Sequence, residues 1–217
     1  MSSGTYELRA YVERLTVNIA IFASGKGSNF LAIARAIIKG NLKCSLSLLV
    51  CDNPQAPVLK KAKRLGIKSV LVPRKDFPSK AEFENQIIKH LQENKIDLVV
   101  LAGFMRLISL EFVRQYYGRM INIHPSLLPS FKGEQGIKDA FDYGVKFTGV
   151  TVHFVDEKTD HGPIILQEAV KIKEDDTLES LEARIHKVEH RLYPAAIRLF
   201  LEGKLELAGR KVRGSSP

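Results

Sequence analysis

Short, nearly uninterrupted apolar runs alternate with segments of helical period along the first half of the chain, and this alternation restricts the fold most. Residues 17–23 (VNIAIFA) form such a run. Ser24-Gly25-Lys26-Gly27-Ser28-Asn29 follows, then a helical pattern over residues 30–39, which reads as strand, glycine turn, helix. The pattern recurs. Strands are expected at 43–50, 67–72, 97–102 and 119–123, and helices at 57–65, 80–93 and 110–117. Ser79, with Glu82 three positions on, suits the start of the 80–93 helix. Strands that are apolar throughout, rather than at every second position, are covered on both faces. The expected class is therefore α/β, a Rossmann-like and mostly parallel sheet with helices on both faces.

After Gly133 the pattern changes. Residues 150–155 (VTVHFV) and 164–172 read as two strands joined by a short loop, an antiparallel hairpin at one edge of the sheet. A long helix is expected to start near Asp176 and Thr177 and to be interrupted at Pro194. The tail after Gly209 is basic and rich in Gly and Ser, and is expected to be disordered. The division is an N-terminal extension (1–16), a single domain (17–209) and a tail (210–217).

Composition excludes several classes. No apolar run approaches the ~18–20 residues that cross a bilayer. Glu7, Arg9, Glu13 and Arg14 interrupt the first fifteen residues, which lack the apolar stretch of a secretory signal. A soluble, cytoplasmic protein is expected. Cys44 and Cys51 fall near opposite ends of one strand, ~23 Å apart at ~3.3 Å per residue, which is too far for a disulfide. Two cysteines are also too few for a structural zinc site. The net charge of +9 is uneven. Between Leu15 and Lys80, twelve Lys or Arg face only Asp52 and Asp76, which suggests an anionic ligand there or a solvated basic face.

Four segments carry chemistry. Gly25-Lys26-Gly27-Ser28-Asn29 opens a helix, where unpaired backbone N–H groups favour a phosphate. It is not a Walker A loop, and Phe30 replaces the third glycine of a dinucleotide fingerprint, although Asp52 could pass for the ribose-binding acid. Gly103-Phe104-Met105-Arg106-Leu107 ends the fourth strand, and suits either a flat ring with polar edges or an ordinary turn. Asn122 and His124, two apart on an extended segment, share one face, and Pro125 and Pro129 stiffen the loop after them. An amide beside an imidazole can hold a polarised carbonyl oxygen and manage a proton. Thr159-Asp160-His161-Gly162-Pro163 is either turn chemistry or the source of a carboxylate for His124. His153, His186 and His190 are read as structural.

Together these segments resemble the phosphoribosylglycinamide formyltransferases, folate-dependent enzymes of purine synthesis. The resemblance runs from about Val17 to Leu205. It rests on GKGSN, DLVVLAGFMRLIS, INIHPSLLP, TGVTVHFVDEKTDHGPI and the helix around Glu189 and Pro194. It implies 10-formyltetrahydrofolate as cosubstrate, no metal, and a monomer or homodimer acting on small molecules rather than nucleic acid. It further implies that Gly27, Ser28, Asn29 and Glu189 bind the ribonucleotide. Lys80, Met105, Arg106, Leu107 and Ile108, with Asn122, would contact the folate. Asn122, His124 and Asp160 would be catalytic, with Asp160 holding His124 in its charged form.

Two departures from the family pattern stand out. Glu134-Gln135-Gly136-Ile137 occupies a stretch where many members carry histidines, so altered loop packing is expected. His161 replaces a small residue beside Asp160. The rivals are formyltetrahydrofolate hydrolase, which carries an extra N-terminal domain, and methionyl-tRNA formyltransferase, which carries a C-terminal one. A nucleic-acid-binding module and a nicotinamide oxidoreductase are more distant alternatives.

Overall fold

The computed structural model describes residues 16–214. The N-terminal extension apart from Thr16, and residues 215–217, lie outside the described residues. A nine-stranded sheet runs in the order β3-β2-β1-β4-β5-β6-β7-β9-β8. Its strands are β1 (Val17–Phe22), β2 (Cys44–Cys51), β3 (Ser69–Leu71), β4 (Leu98–Leu101), β5 (Met120–His124), β6 (Phe147–Phe154), β7 (Ile164–Lys171), β8 (Glu206–Ala208) and β9 (Lys211–Arg213). The first five strands are mutually parallel. β6 runs antiparallel to both β5 and β7.

The pleat of β1 sends Ile19 and Ile21 to one face and Ala20 and Phe22 to the other, all fully buried. The first face packs under α1 (Ser28–Ile38), α2 (Pro57–Arg64), α5 (Gly136–Tyr143) and α6 (Leu178–Leu201), through Phe30, Ile33, Val58, Ile137, Leu181 and Ile197. The second packs under α3 (Lys80–Glu93) and α4 (Leu110–Gln115), through Phe83, Ile87 and Phe112. Strands buried on both sides explain the unbroken apolar runs.

β1 lies between β2 and β4, so the chain reverses its direction of winding there. In such sheets the carboxyl ends of the strands leave a crevice at the switch point. The loops after β1, β4 and β5 all open on that edge.

The α3 start fits expectation: the Ser79 hydroxyl accepts from Glu82 N at 3.1 Å. α6 starts on a reciprocal cap between Thr177 and Ser180. Contrary to expectation, α6 continues through Pro194. Pro194 forgoes one backbone bond, but Leu192, Tyr193, Ala196 and Ile197 around it are buried. The Tyr193 hydroxyl also reaches the Leu101 and Ile121 carbonyls, at 2.8 and 2.9 Å, anchoring the helix to β4 and β5.

The tail also differs. Residues 211–213 are not disordered but form β9, which pairs with β8 and touches β7 at Ile164. The late antiparallel strands do close one side of the sheet, and β9 and β8 extend that side beyond the hairpin. Cys44 and Cys51 terminate β2 as free thiols. Burial pushes the Cys44 thiol up to about 12. Among the described residues no helix is long and apolar enough to cross a membrane.

Candidate active site

Met120, Asn122 and His124 alternate along β5 and face the α3–α4 side of the sheet, while Ile121 and Ile123 face the other core. Met120 is buried in that second core, and Asn122 and His124 succeed it toward the carboxyl edge. The antiparallel register sets His153 opposite Asn122 and Thr151 opposite His124. Two histidines and an amide therefore share one patch at the open end of the sheet.

Asp160 completes the patch from the β6–β7 loop. Its Oδ2 lies 3.5 Å from His124 Nδ1. Oδ2 also accepts from Gly133 N at 2.9 Å, and Oδ1 accepts from Asn122 Nδ2 at 3.4 Å. Asp160 takes a φ of 45°, a left-handed conformation that costs a non-glycine residue energy and persists only when its surroundings fix it. The structure thus brings Asn122, His124 and Asp160 together.

The proton positions are set by what each partner can accept. A carbonyl only accepts, so His124 Nε2 donates to Phe131 O at 2.7 Å. Nδ1 then faces the Asp160 carboxylate, bare in the neutral ring and protonated in the charged one. His153 Nδ1 likewise donates to Phe154 O at 2.8 Å, which leaves Nε2 as an acceptor for Asn122 Nδ2 at 3.2 Å. Burial pushes the His153 imidazole below its ordinary value and keeps it neutral. The sequence marks His153 as merely structural. It instead orients the Asn122 amide, pointing its two N–H bonds at His153 and Asp160.

The loop after β5 is held from beneath. Thr151 Oγ1 donates to Ser126 O at 2.7 Å and accepts from Leu128 N at 3.1 Å. Gln167 Nε2 reaches both Thr151 Oγ1 and Leu128 O. Gly136, within the departure at residues 134–137, packs close to the site. A Cβ on Gly136 would sit 2.9 Å from Phe131 O and 3.0 Å from His124 Nε2, so a small residue lets α5 approach the imidazole.

A second group lies at the start of α1. Gly27 is the N-cap and has no side chain with which to cap the first-turn N–H groups. Lys61 Nζ binds Lys26 O at 2.6 Å, and Val58 N binds Gly25 O at 3.2 Å, so α2 fixes the loop by its carbonyls. Asn29 Nδ2 donates to Glu189 Oε2 at 3.1 Å, joining two of the expected ribonucleotide ligands. The Asn29 Oδ1 atom is buried without a hydrogen-bond partner. His186, which the sequence also marks as structural, lies 2.9 Å from Glu189 Oε2, and that hydrogen bond raises its pKa.

Gly27 requires a correction. A glycine in a phosphate loop suggests that an added side chain would enter the phosphate space. Gly27 has a φ of 69°, and a Cβ on it would meet Val58 Cγ2 at 2.4 Å, on the α2 side. At Gly25 an added Cβ meets nothing within 4 Å. Gly27→Ala is therefore expected to strain the loop by ~1–3 kcal/mol. Calorimetric titration should show weaker ribonucleotide binding, with folate binding changed less than about twofold. Equal loss for both ligands would mean that the whole fold had shifted.

The loop after β4 is partly as expected. Met105 and Leu107 are exposed apolar residues. Arg106 is held by an ion pair. Its Nε binds Asp52 Oδ2 at 2.5 Å, and Asp52 Oδ1 accepts from Ser24 Oγ at 2.5 Å. Met105 N donates to the same Ser24 hydroxyl at 3.0 Å. Asp52, the possible ribose ligand, thus ties the β1 and β4 loops together. Lys80 begins α3 half-exposed, 3.9 Å from the buried Glu84. Glu84 accepts from Ser109 N at 2.8 Å, just after Ile108.

The sheet is doubly wound and carries an Asn-His-Asp patch at the carboxyl end of β5, and comparison with known proteins assigns the family. The chain belongs to the formyl transferase family, whose model matches residues 17–197. It is 50% identical over 182 residues to the phosphoribosylglycinamide formyltransferase of Bacillus subtilis, covering 84% of this chain and 93% of that one. The trifunctional purine biosynthetic protein adenosine-3 of Homo sapiens is 41% identical over 90% of this chain, which spans only 19% of that protein. The solved structure of glycinamide ribonucleotide transformylase 1 from Symbiobacterium toebii superposes with a TM-score of 0.89 at 40% identity, covering 98% of this chain and 99% of that one.

Proposed function

We propose that the chain transfers the formyl group of 10-formyltetrahydrofolate to the amine of 5-phosphoribosylglycinamide, a step of purine biosynthesis. The observation that carries this reading is the meeting of Asn122, His124 and Asp160 at the open end of β5. The neighbouring loops supply complementary surfaces. Gly27, Ser28 and Asn29 with Glu189 receive the phosphorylated substrate. Met105, Leu107 and Ile108 receive the pterin, with Lys80 near the rest of the folate. Arg106, bound to Asp52, holds that loop in place.

The amine attacks the formyl carbon directly, and the carbonyl oxygen becomes an oxyanion. Donors fixed in advance stabilise such an oxyanion without reorganising. The Asn122–Asp160 contact, at 3.4 Å, is the bond that an incoming formyl oxygen takes over. The Phe131 carbonyl, on a residue whose φ is 49°, is the group that releases the His124 Nε2–H for the same oxygen. Apo hydrogen bonds of this kind are expected to rearrange when substrate arrives. The amine must lose a proton and the departing folate nitrogen must gain one, and an imidazole beside a carboxylate suits that exchange. No covalent enzyme intermediate is needed. The protein works in the cytoplasm, as a monomer or homodimer, on small molecules alone.

Acceptor dependence tests the reading. Tetrahydrofolate release should be fast only when 5-phosphoribosylglycinamide is present. Comparable release with water alone would move the assignment to a hydrolase.

A further inference from the structure

The β6–β7 loop that carries Asp160 has a second set of contacts, on the side away from His124. His161 Nδ1 lies 2.7 Å from Asp156 Oδ2. Lys158 N donates to Asp156 Oδ1 at 3.0 Å, so the loop closes on its own aspartate. From outside the loop comes Arg210, in the turn between β8 and β9 and 49 residues from His161 in sequence. Its Nη1 donates to the His161 carbonyl at 2.6 Å. The same nitrogen lies 2.9 Å from His161 Nδ1 and 3.7 Å from Asp156 Oδ2. The pairing of Ile164 with Lys211 sets the turn beside the loop.

We infer that Arg210 is a positioning residue: it clamps the carbonyl of the residue directly after Asp160 and so keeps the Asp160 carboxylate opposite His124. Two observations support this beyond the contact itself. Asp160 sits at a φ of 45°, which its own preference does not maintain and its neighbours must. Its hold on His124 is long, at 3.5 Å, so a small displacement of the loop breaks it. The carbonyl on one side of Asp160 is fixed by Arg210, and the carboxylate on the other by Gly133 N and Asn122. Without the first anchor the backbone is free to relax toward a more ordinary φ, and the carboxylate then turns away. The Arg210 side chain is 60% exposed. Exposed ionic contacts contribute little to stability, so its role should appear in turnover and not in melting.

Arg210→Ala is the test, and its kinetic arm rests on the formyl-transfer reading. Misplacement of a catalytic group by about 1 Å can cost ~10²-fold, so kcat should fall by about tenfold to a hundredfold. KM for the ribonucleotide should stay within about twofold. The thermal midpoint should move by no more than about 4 °C. Arg210→Lys keeps the cation and a donor and should recover part of the loss. Millimolar guanidinium should do the same for Arg210→Ala. A second arm needs no activity. The imidazole ¹⁵N signals of His124, assigned by their loss in His124→Ala, should shift in Arg210→Ala and return toward wild type in Arg210→Lys. Unchanged His124 signals, or a kcat within about twofold of wild type, would overturn the inference. If wild type itself fails to transfer formyl groups, the function reading falls, and the NMR arm still decides whether the clamp exists.

Discussion

Alanine at position 124 is expected to lower kcat by about 10²–10⁴-fold, the usual range for a general acid–base group. His124 is 4% exposed and joined on both sides, to Phe131 O through Nε2 and to Asp160 through Nδ1. In the proposed mechanism its removal deletes the oxyanion donor and the proton carrier together. The Phe131 carbonyl also loses its partner, which costs ~1–3 kcal/mol of stability if water does not replace it. Steady-state kinetics separate the two effects, because a folding loss reduces the active fraction while a chemical loss reduces turnover per folded molecule. A kcat within tenfold of wild type, measured on folded protein, would remove His124 from the chemistry.

Asp160→Asn is expected to cost about 10²–10⁴-fold in kcat as well, more than any change in apparent substrate affinity. Asparagine tolerates the left-handed backbone found at this position, so the loop need not move for steric reasons. The change is electronic. The negative charge 3.5 Å from His124 Nδ1 disappears. The carboxylate also accepts from two donors, Gly133 N and Asn122 Nδ2. An amide has one acceptor oxygen, so either orientation sets its NH₂ against another donor. If the two residues act as a unit, the double variant loses far less than the product of the single losses. Multiplicative losses would mean that they act separately, and a kcat for Asp160→Asn close to wild type would leave the aspartate only a turn residue.

The parallel half of the fold is readable because its central strands, β1 and β4, are buried on both faces and appear as nearly unbroken apolar runs closed by glycine turns, while the exposed β3 is marked by the flanking Gly66 and Pro73. The later half is harder to read. Residues 211–213 (KVR) form a three-residue strand between β7 and β8, with a composition that resembles that of a tail. The helix Gly136–Tyr143 carries a weak signal, Ile137 and Ala140 on one buried face behind a glycine start. Pro194 does not break its helix because the residues around it are buried against the sheet.

At the site, spacing alone puts Asn122 and His124 on one face. Their link to Asp160 comes from a family resemblance and from nothing local. The role of His153 is hidden in the sequence, because it depends on which residue the antiparallel register sets opposite Asn122. The binding of Arg106 to Asp52 is hidden for a similar reason, since it joins loops 54 residues apart. The sequence places Gly27 in a loop that opens a helix, but only the packing of α2 shows that Val58 is the group a side chain there would strike.

Direct transfer between two small molecules is the central claim, and a single-turnover experiment tests it. The enzyme is mixed with 10-formyltetrahydrofolate carrying ¹³C in the formyl group and with 5-phosphoribosylglycinamide, quenched at successive times, and analysed by mass spectrometry. The account predicts that the label passes to the ribonucleotide at the rate at which tetrahydrofolate forms, with none on the intact protein at any time. Label accumulating as formate, or on the protein ahead of product, would contradict it.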